Sequence, residues 1–471
     1  MSKFKLFIDN FLVYGLGGVI SKVIPLIMLP IITRLMPDPA YYGLFDLSNT
    51  ITSFGVAFAI MGMYDAMFRY FFEQEDIDFR RDICSTTLAF TIGTSIFVFF
   101  MMLIFHEEIA TYVFSGSQYG ILVYLTAMAT LIGATNGIIS APTRMQNKRK
   151  VFLVTNTVSP LLGYAVSIPL LLQGYYLVAL PLAGILSSAL IEGVFAWLNR
   201  SFFSIHCFRR DYLGRLLKLA LPMAPSFFVY WVFNSSDRIM ITNIIGVEAT
   251  GIYSIGSKLG MASQLIYQAF AGGWQYFAFS TMNEKNQVKS NSLIFEYLGV
   301  ISFISCMFIC AICKVFYEIF FTGEYVQGYI VSPYLFLAPL LLMLYQVAAN
   351  QFLIVKKTGP GAAILFVGAV ANIALNFLLI PRLGVEGAGI ATLLGYAVSL
   401  SIVLVYLTHK KLMEVSKNFY IAVFIMLAFF ILWRLAILDH FLVELFSAFV
   451  GSFLLIRLYW NDIAVAFKKK N

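Results

Sequence analysis

Two lysines stand where a charge is costly. Lys22 lies near the middle of an apolar run at 10–33, and Lys258 lies inside another at 249–272. At helical spacing Gly15, Gly18, Lys22 and Pro25 share one face, as do Gly251, Ser254, Lys258, Ala262 and Ala269. Each ammonium therefore sits on a stripe of small residues. Lys22 is about twelve residues, or ~18 Å, from either end of its helix at 1.5 Å per residue, too far to snorkel. Pro25 has no N–H for the carbonyl of Ser21, which leaves an acceptor beside the lysine. Two readings stay open: a lysine satisfied by that carbonyl and a neighbouring helix, or a lysine lining a watery path for an anion. For Lys258 the first reading is close packing, because Gly256 and Gly260 form a GxxxG step.

Acids are fewer. Asp46 falls just inside the second apolar run, Asp65 at its other end, Glu192 in the sixth, and Asp237 at the end of the seventh beside Arg238. Asp65 reads as a helix-end partner of Arg69, four residues on. Asp237 reads equally as a local partner of Arg238 or as a transport residue. Glu192 is the candidate for proton or ion coupling. With Arg34, Asn49, Tyr230 and Asn234 added, the candidate cavity set is Lys22, Lys258, Arg34, Asp46, Asn49, Tyr230, Asn234, Asp237 and Arg238. Catalytic chemistry has no foothold: there is no nucleophile elbow, HExxH or Walker loop, and the glycine-rich pieces do not follow strands. Cys306, Cys310 and Cys313 share a helix face but no His accompanies them, so they read as core rather than as a metal site. No cofactor is expected.

The elements that carry these residues are membrane helices. Fourteen apolar runs are long enough to cross ~30 Å of hydrocarbon: near 10–33, 43–64, 84–105, 119–140, 151–172, 176–198, 216–236, 249–272, 291–313, 328–355, 359–380, 385–407, 419–438 and 441–460. With a cytoplasmic N-terminus, the inner segments carry 25 Lys and Arg and the outer ones only 5, namely Arg34, Arg238, Lys314, Arg382 and Arg434. The positive-inside rule then places both termini in the cytoplasm. With 60% hydrophobic and 12% charged residues, lipid must solvate nearly the whole chain, and no separate soluble domain fits between the spans. The net charge of +8 is explained by loops facing anionic lipid and does not call for nucleic acid.

A weak repeat divides the chain. Residues 33–47 echo 242–255, with Gly43-Leu44-Phe45 matching Gly251-Ile252-Tyr253 at an offset of 208 residues. A second echo joins 148–170 to 356–382, each ending near Ile-Pro. The expectation is a parallel duplication: an N-lobe at 1–200, a C-lobe at 201–409, and two further helices with a tail at 410–471. In repeat coordinates Lys22 aligns near Trp231 and Lys258 near Asn49, so the lobes are chemically unequal. The linker at 199–218 is basic and amphipathic and reads as an interfacial helix on acidic headgroups. The mixed-charge segment 65–82 reads as a solvated turn.

These residues carry a resemblance. The opening helix pair with Thr33-Arg34-Leu35 and Tyr42-Gly43-Leu44, the Ser236-Asp237-Arg238 step, the Ala249-Thr250-Gly251-Ile252-Tyr253-Ser254 entry and the fourteen-span plan resemble polysaccharide flippases of the multidrug/oligosaccharidyl-lipid/polysaccharide exporter superfamily. The resemblance covers essentially the whole chain. It implies an all-α polytopic protein of about 14 transmembrane helices, with two pseudo-symmetric six-helix lobes in a V around a cationic cavity. It implies alternating access and an undecaprenyl-pyrophosphate-linked oligosaccharide as substrate, moved from the cytoplasmic to the outer leaflet of the bacterial inner membrane for O-antigen or capsule. Partners implied are the bilayer and the polymerase and chain-length proteins of the same pathway. Two alternatives remain. A drug or cation antiporter of the same superfamily is expected to place carboxylates rather than lysines in its cavity. A membrane polysaccharide polymerase, an enzyme, is expected to carry a large outer loop.

Overall fold

The computed structural model describes residues 23–460, apart from 261, 268–269, 271–273, 275–277, 279–280, 283 and 356–358. Lys22, with Gly15 and Gly18, lies outside the described residues, as do Ala269, Lys356 and Lys357. Among the described residues every regular element is helical. Ten helices are long and apolar enough to cross a membrane, or eleven if a bent pair at Arg210–Met223 and Phe227–Ile245 is one span. The protein is thus a multi-pass, all-α membrane protein. One of the ten, Gly359–His409, is 51 residues long, about 77 Å at 1.5 Å per residue and far more than one bilayer needs. Gly384 (φ 60, ψ −139) interrupts it, in a conformation that side chains other than glycine rarely adopt. Two of the fourteen apolar runs therefore meet there.

The chain packs as two compact units, 1–251 and 252–471. The first contains α1 (Val23–Leu35), α2 (Pro39–Ile60), α3 (Met63–Phe71), α4 (Ile77–Ile104), α5 (His106–Val113), α6 (Gly120–Met145), α7 (Arg149–Leu172), α8 (Ala179–Leu198), α9 (Arg210–Ala220) and α10 (Ala224–Ile245). It also holds the first turn of α11 (Val247–Gly260). The duplication expected from the sequence would divide the chain near residue 200, whereas packing divides it within α11. The reason is that α10 lies along α2 and is counted with the helices it touches.

Local signals set the helix starts. Asp38 accepts from the Ala40 N–H at 2.8 Å, with Pro39 at the first helical position of α2. Asp76 accepts from the Phe79 N–H at 3.2 Å and opens α4. In α3, Asp65 and Arg69 occupy the first and last turns and make no ion pair among the described residues. This corrects the helix-end pair read from their spacing. Each instead complements the helix dipole where it stands, and an exposed pair adds little to that.

The 199–218 linker is tied to protein. Arg81 Nε donates to the Ser201 carbonyl at 2.9 Å, the Ser204 N–H to Ser85 Oγ at 3.0 Å, and the Arg209 N–H to Thr86 Oγ1 at 3.0 Å. The apolar face of α9 is buried as well: Leu216 and Ala220 join Met63, Met67, Phe71 and Ile138 in one core cluster. What the linker leaves outward is the stretch before the helix, with Ile205 92% exposed and Phe208 exposed, and the charged face of α9 with Arg210, Asp211, Arg215 and Lys218.

The second unit contains the rest of α11, then α12 (Gln287–Phe320), α13 (Ser332–Ile354), α14 (Gly359–His409), α15 (Lys417–Leu432) and α16 (Phe441–Leu458). Helix α13 is its axis, with almost every residue from Ser332 to Phe352 buried between α12 and α14. Cys306, Cys310 and Cys313 are buried in this core. The last two helices are fastened at both ends. At one, Glu296 accepts from the Ser416 N–H at 2.7 Å, Ser416 Oγ at 2.6 Å and Tyr459 Oη at 2.8 Å. At the other, Arg434 Nε donates to Glu386 at 2.6 Å and Lys314 pairs with Asp439.

Candidate functional site: a buried ion cluster in the first unit

The charged residues that the sequence scatters over 192 positions meet at one end of α2 and α10. Arg238 Nε donates to Asp46 Oδ2, and Arg238 Nη1 donates to the Asn234 carbonyl. Asp237 Oδ1 accepts the Arg238 N–H at 3.0 Å and lies 3.4 Å from Nη1. Asp46, Asp237 and Arg238 are 4%, 2% and 5% exposed, so the cluster is closed to solvent. A guanidinium suits this place because its planar fork reaches several oxygens at once and stays charged.

The surroundings explain how it forms. Gly43 and Gly251, equivalent in the repeat, meet face to face: a Cβ on Gly43 would stand 2.4 Å from the Val247 carbonyl oxygen and 2.9 Å from the Gly251 nitrogen. A Cβ on Gly251 would stand 2.0 Å from the Pro39 oxygen. Only glycine permits that backbone approach. One turn further along α2 it places Asp46 beside α10. Thr250 Oγ1 bonds Thr242 Oγ1 at 2.6 Å and the Arg238 carbonyl at 3.4 Å, tying the start of α11 to α10. Below the cluster, Trp231 Nε1 donates to the Thr50 carbonyl at 3.1 Å and its ring lies 4.9 Å from that of Phe54.

The structure brings together Asp46, Asn234, Asp237 and Arg238 from the predicted set. Tyr230 is half-buried one turn away on α10, its carbonyl accepting from Asn234 Nδ2 at 2.7 Å. Arg34 and Asn49 are exposed. Glu192 is half-buried on α8 and faces Thr135. Lys258 is half-buried in the second unit. The glycines on either side of it do pack closely: Cβ atoms on Gly256 and Gly260 would meet the Gly328 oxygen at 2.5 Å and Leu335 Cβ at 2.7 Å.

Sequence reasoning saw Asp237 and Arg238 as neighbours and missed Asp46 as the principal partner. The Gly43 and Gly251 echo singled out the two glycines, but a repeat does not say that its copies touch, so the crossing that pairs Asp46 with α10 was not in the sequence. It also missed the second unit's own arrangement, in which Glu386 is shared by Arg434 and Tyr334 Oη, at 2.6 and 2.9 Å.

Comparison with known proteins gives the chain's relatives. Residues 31–328 match the family described as polysaccharide biosynthesis protein, and the chain belongs to that family. Its fold is similar to that of a lipid II flippase, MurJ, in an inward closed conformation, at TM-score 0.69 and 13% identity over 96% of this chain and 100% of that one. It is also similar to an inward-facing multidrug resistance MATE family transporter of the MOP superfamily, at TM-score 0.66 and 12% identity over 83% of this chain and 97% of that one. The fold expected from the sequence thus holds, and the family is one of polysaccharide biosynthesis.

Proposed function

We propose that the protein is a flippase for undecaprenyl-pyrophosphate-linked oligosaccharide, carrying repeat units of an O-antigen or capsule from the cytoplasmic to the outer leaflet of the bacterial inner membrane by alternating access. The observation that carries the reading is the match of most of the chain to a polysaccharide biosynthesis family, in a sequence that puts two lysines inside apolar spans. A pyrophosphate is a multiple anion, and removing it from water needs paired positive charge. Lys22 and Lys258 supply that charge in this reading, with both chain termini cytoplasmic. Asp46, Asp237 and Arg238 then act as a latch between α2 and α10, and Glu192 is the remaining acid for ion coupling. No nucleotide-binding motif is present in the sequence, so the driving force is a substrate or ion gradient. Of the candidate acids, Asp46 and Asp237 are engaged by Arg238, which leaves the antiporter alternative only Glu192.

The test is charge against length. In a reconstituted flipping assay with a short lipid-linked oligosaccharide, Lys22→Arg and Lys258→Arg retain part of the activity, and Lys22→Gln and Lys258→Gln lose it. Gln equal to or better than Arg at both positions rejects an electrostatic role.

A further inference from the structure

A cleft inside the first unit has polar walls that the transport reading does not use. Helices α6 and α7 each lie along α8 and touch one another little, which leaves a cavity of about 200 Å³ among the three. Asn136, Ser140, Thr143 and Arg144 line it from α6 at i, i+4, i+7 and i+8, one helical face. Thr155 and Asn156 line it from α7, and Phe195 of α8 closes its back with an apolar wall. Intramembrane polar faces are turned towards protein, water or ligand rather than lipid. This one faces a void.

The polarity of the lining is specific. Ser140 Oγ donates to the Gly137 carbonyl at 3.4 Å, Thr155 Oγ1 to the Val151 carbonyl at 2.9 Å, and Asn156 Nδ2 to the Phe152 carbonyl at 2.9 Å. The two hydroxyl hydrogens and one N–H of Asn156 are engaged by their own helices, so the oxygens keep lone pairs for the cavity. Asn136 Oδ1 is buried with no partner, and Pro160, inside α7, has no N–H for the carbonyl of Asn156. Against these acceptors stands one cation of the lining, Arg144, an exposed residue near the end of α6 whose guanidinium lies 5.4 Å over the Phe152 ring. Acceptor oxygens call for hydroxyl donors, and a guanidinium calls for a phosphate.

We propose that the cleft between α6, α7 and α8 binds a phosphate ester of a small polyol, its phosphate on Arg144 and its hydroxyls on the oxygens of Asn136, Thr155 and Asn156. The volume is below the roughly 300–1,000 Å³ of pockets for drug-sized ligands, so it admits one headgroup or one sugar and excludes an oligosaccharide. Glu192, the acid on α8, faces Thr135 and is not part of the lining. Neither Lys22 nor Lys258 enters this argument, which stands whether or not the flippase reading does.

Two sources share this chemistry: a glycerol-bearing phospholipid headgroup and a water-soluble sugar phosphate. The test titrates the full-length protein in neutral detergent with dioctanoyl phosphatidylglycerol, dioctanoyl phosphatidylcholine and glucose 1-phosphate, read by native mass spectrometry and thermal shift. The expected result is binding of phosphatidylglycerol, glucose 1-phosphate or both, weakened about tenfold or more by Arg144→Gln and unchanged by Arg457→Gln, which removes an exposed cation from α16. Binding of the lipid alone assigns a headgroup, and binding of the sugar phosphate alone assigns a soluble ligand. The double variant Thr155→Val with Asn156→Leu is expected to weaken binding without lowering the melting temperature of the free protein. Phosphatidylcholine binding as tightly as phosphatidylglycerol, affinity unchanged in Arg144→Gln, or no binding of either polyol ester overturns the proposal.

Discussion

Each unit holds a guanidinium against carboxylates, and the two arrangements differ in what surrounds them. In the first unit the side chains of Arg238, Asp46 and Asp237 are 6%, 5% and 3% exposed. In the second, Glu386 is 7% exposed but Arg434 is 43% exposed. Attraction between opposite charges grows as water is excluded, and so does the penalty for leaving one of them alone. The Arg238 cluster is therefore an all-or-nothing latch between α2 and α10. The Arg434 pair is a fastening for α15 whose cation keeps part of its hydration, and Glu386 has a second donor in Tyr334.

The largest difference is expected on removing the arginines. Arg238→Ala leaves two buried carboxylates without their shared cation and destabilises the protein by about 3–5 kcal/mol, seen as a large drop in melting temperature in detergent and loss of folded protein from membranes. Arg434→Ala costs about 1–2 kcal/mol, because Glu386 loses one of two donors and the exposed cation was only partly desolvated. Equal losses from the two substitutions would dissolve the distinction.

The latch also depends on close backbone approach. Gly251→Ala puts a Cβ 2.0 Å from the Pro39 oxygen, so backbone has to shift, at about 1–3 kcal/mol. Gly193→Ala, where nothing lies within 4 Å, is expected to be silent. A silent Gly251→Ala would mean that α2 and α11 do not need this contact. Comparative thermal unfolding of the two variants decides it.

The smallest effect belongs to the Lys314 and Asp439 pair. The Lys314 ammonium holds the Asp439 carboxyl below its usual value. A carboxyl depressed in the folded state stabilises above its ordinary pKa of 3.8 and ceases to do so as pH falls through the lower folded value. Asp439→Asn is accordingly expected to leave the melting temperature nearly unchanged at pH 7 and to flatten its fall below about pH 4. A large drop at pH 7 would show that the exposed pair contributes as the buried one does.

Much of this molecule is legible in one dimension. Apolar runs of membrane-spanning length name the helices, and the glycine interrupting 359–409 separates two of them, because backbone in lipid must satisfy its own hydrogen bonds and so must be helical. Asp38 and Asp76 announce the helix starts they cap. The Gly43 and Gly251 echo marks matched small residues, positions at which a close backbone approach is permitted. These are signals within one segment or repeated between two.

What the sequence left undetermined was partnership. Nothing in the spacing of Asp46 and Arg238, 192 residues apart, makes them a pair, and Asp65 and Arg69, whose spacing is ideal, do not pair. The amphipathic pattern of 210–220 declares an apolar face without saying whether lipid or α3 and α4 will cover it. Apolar burial is non-directional and local patterning is satisfied by either cover. Long-range ion pairs depend on which helices touch and how far water is excluded between them, and those are properties of packing alone.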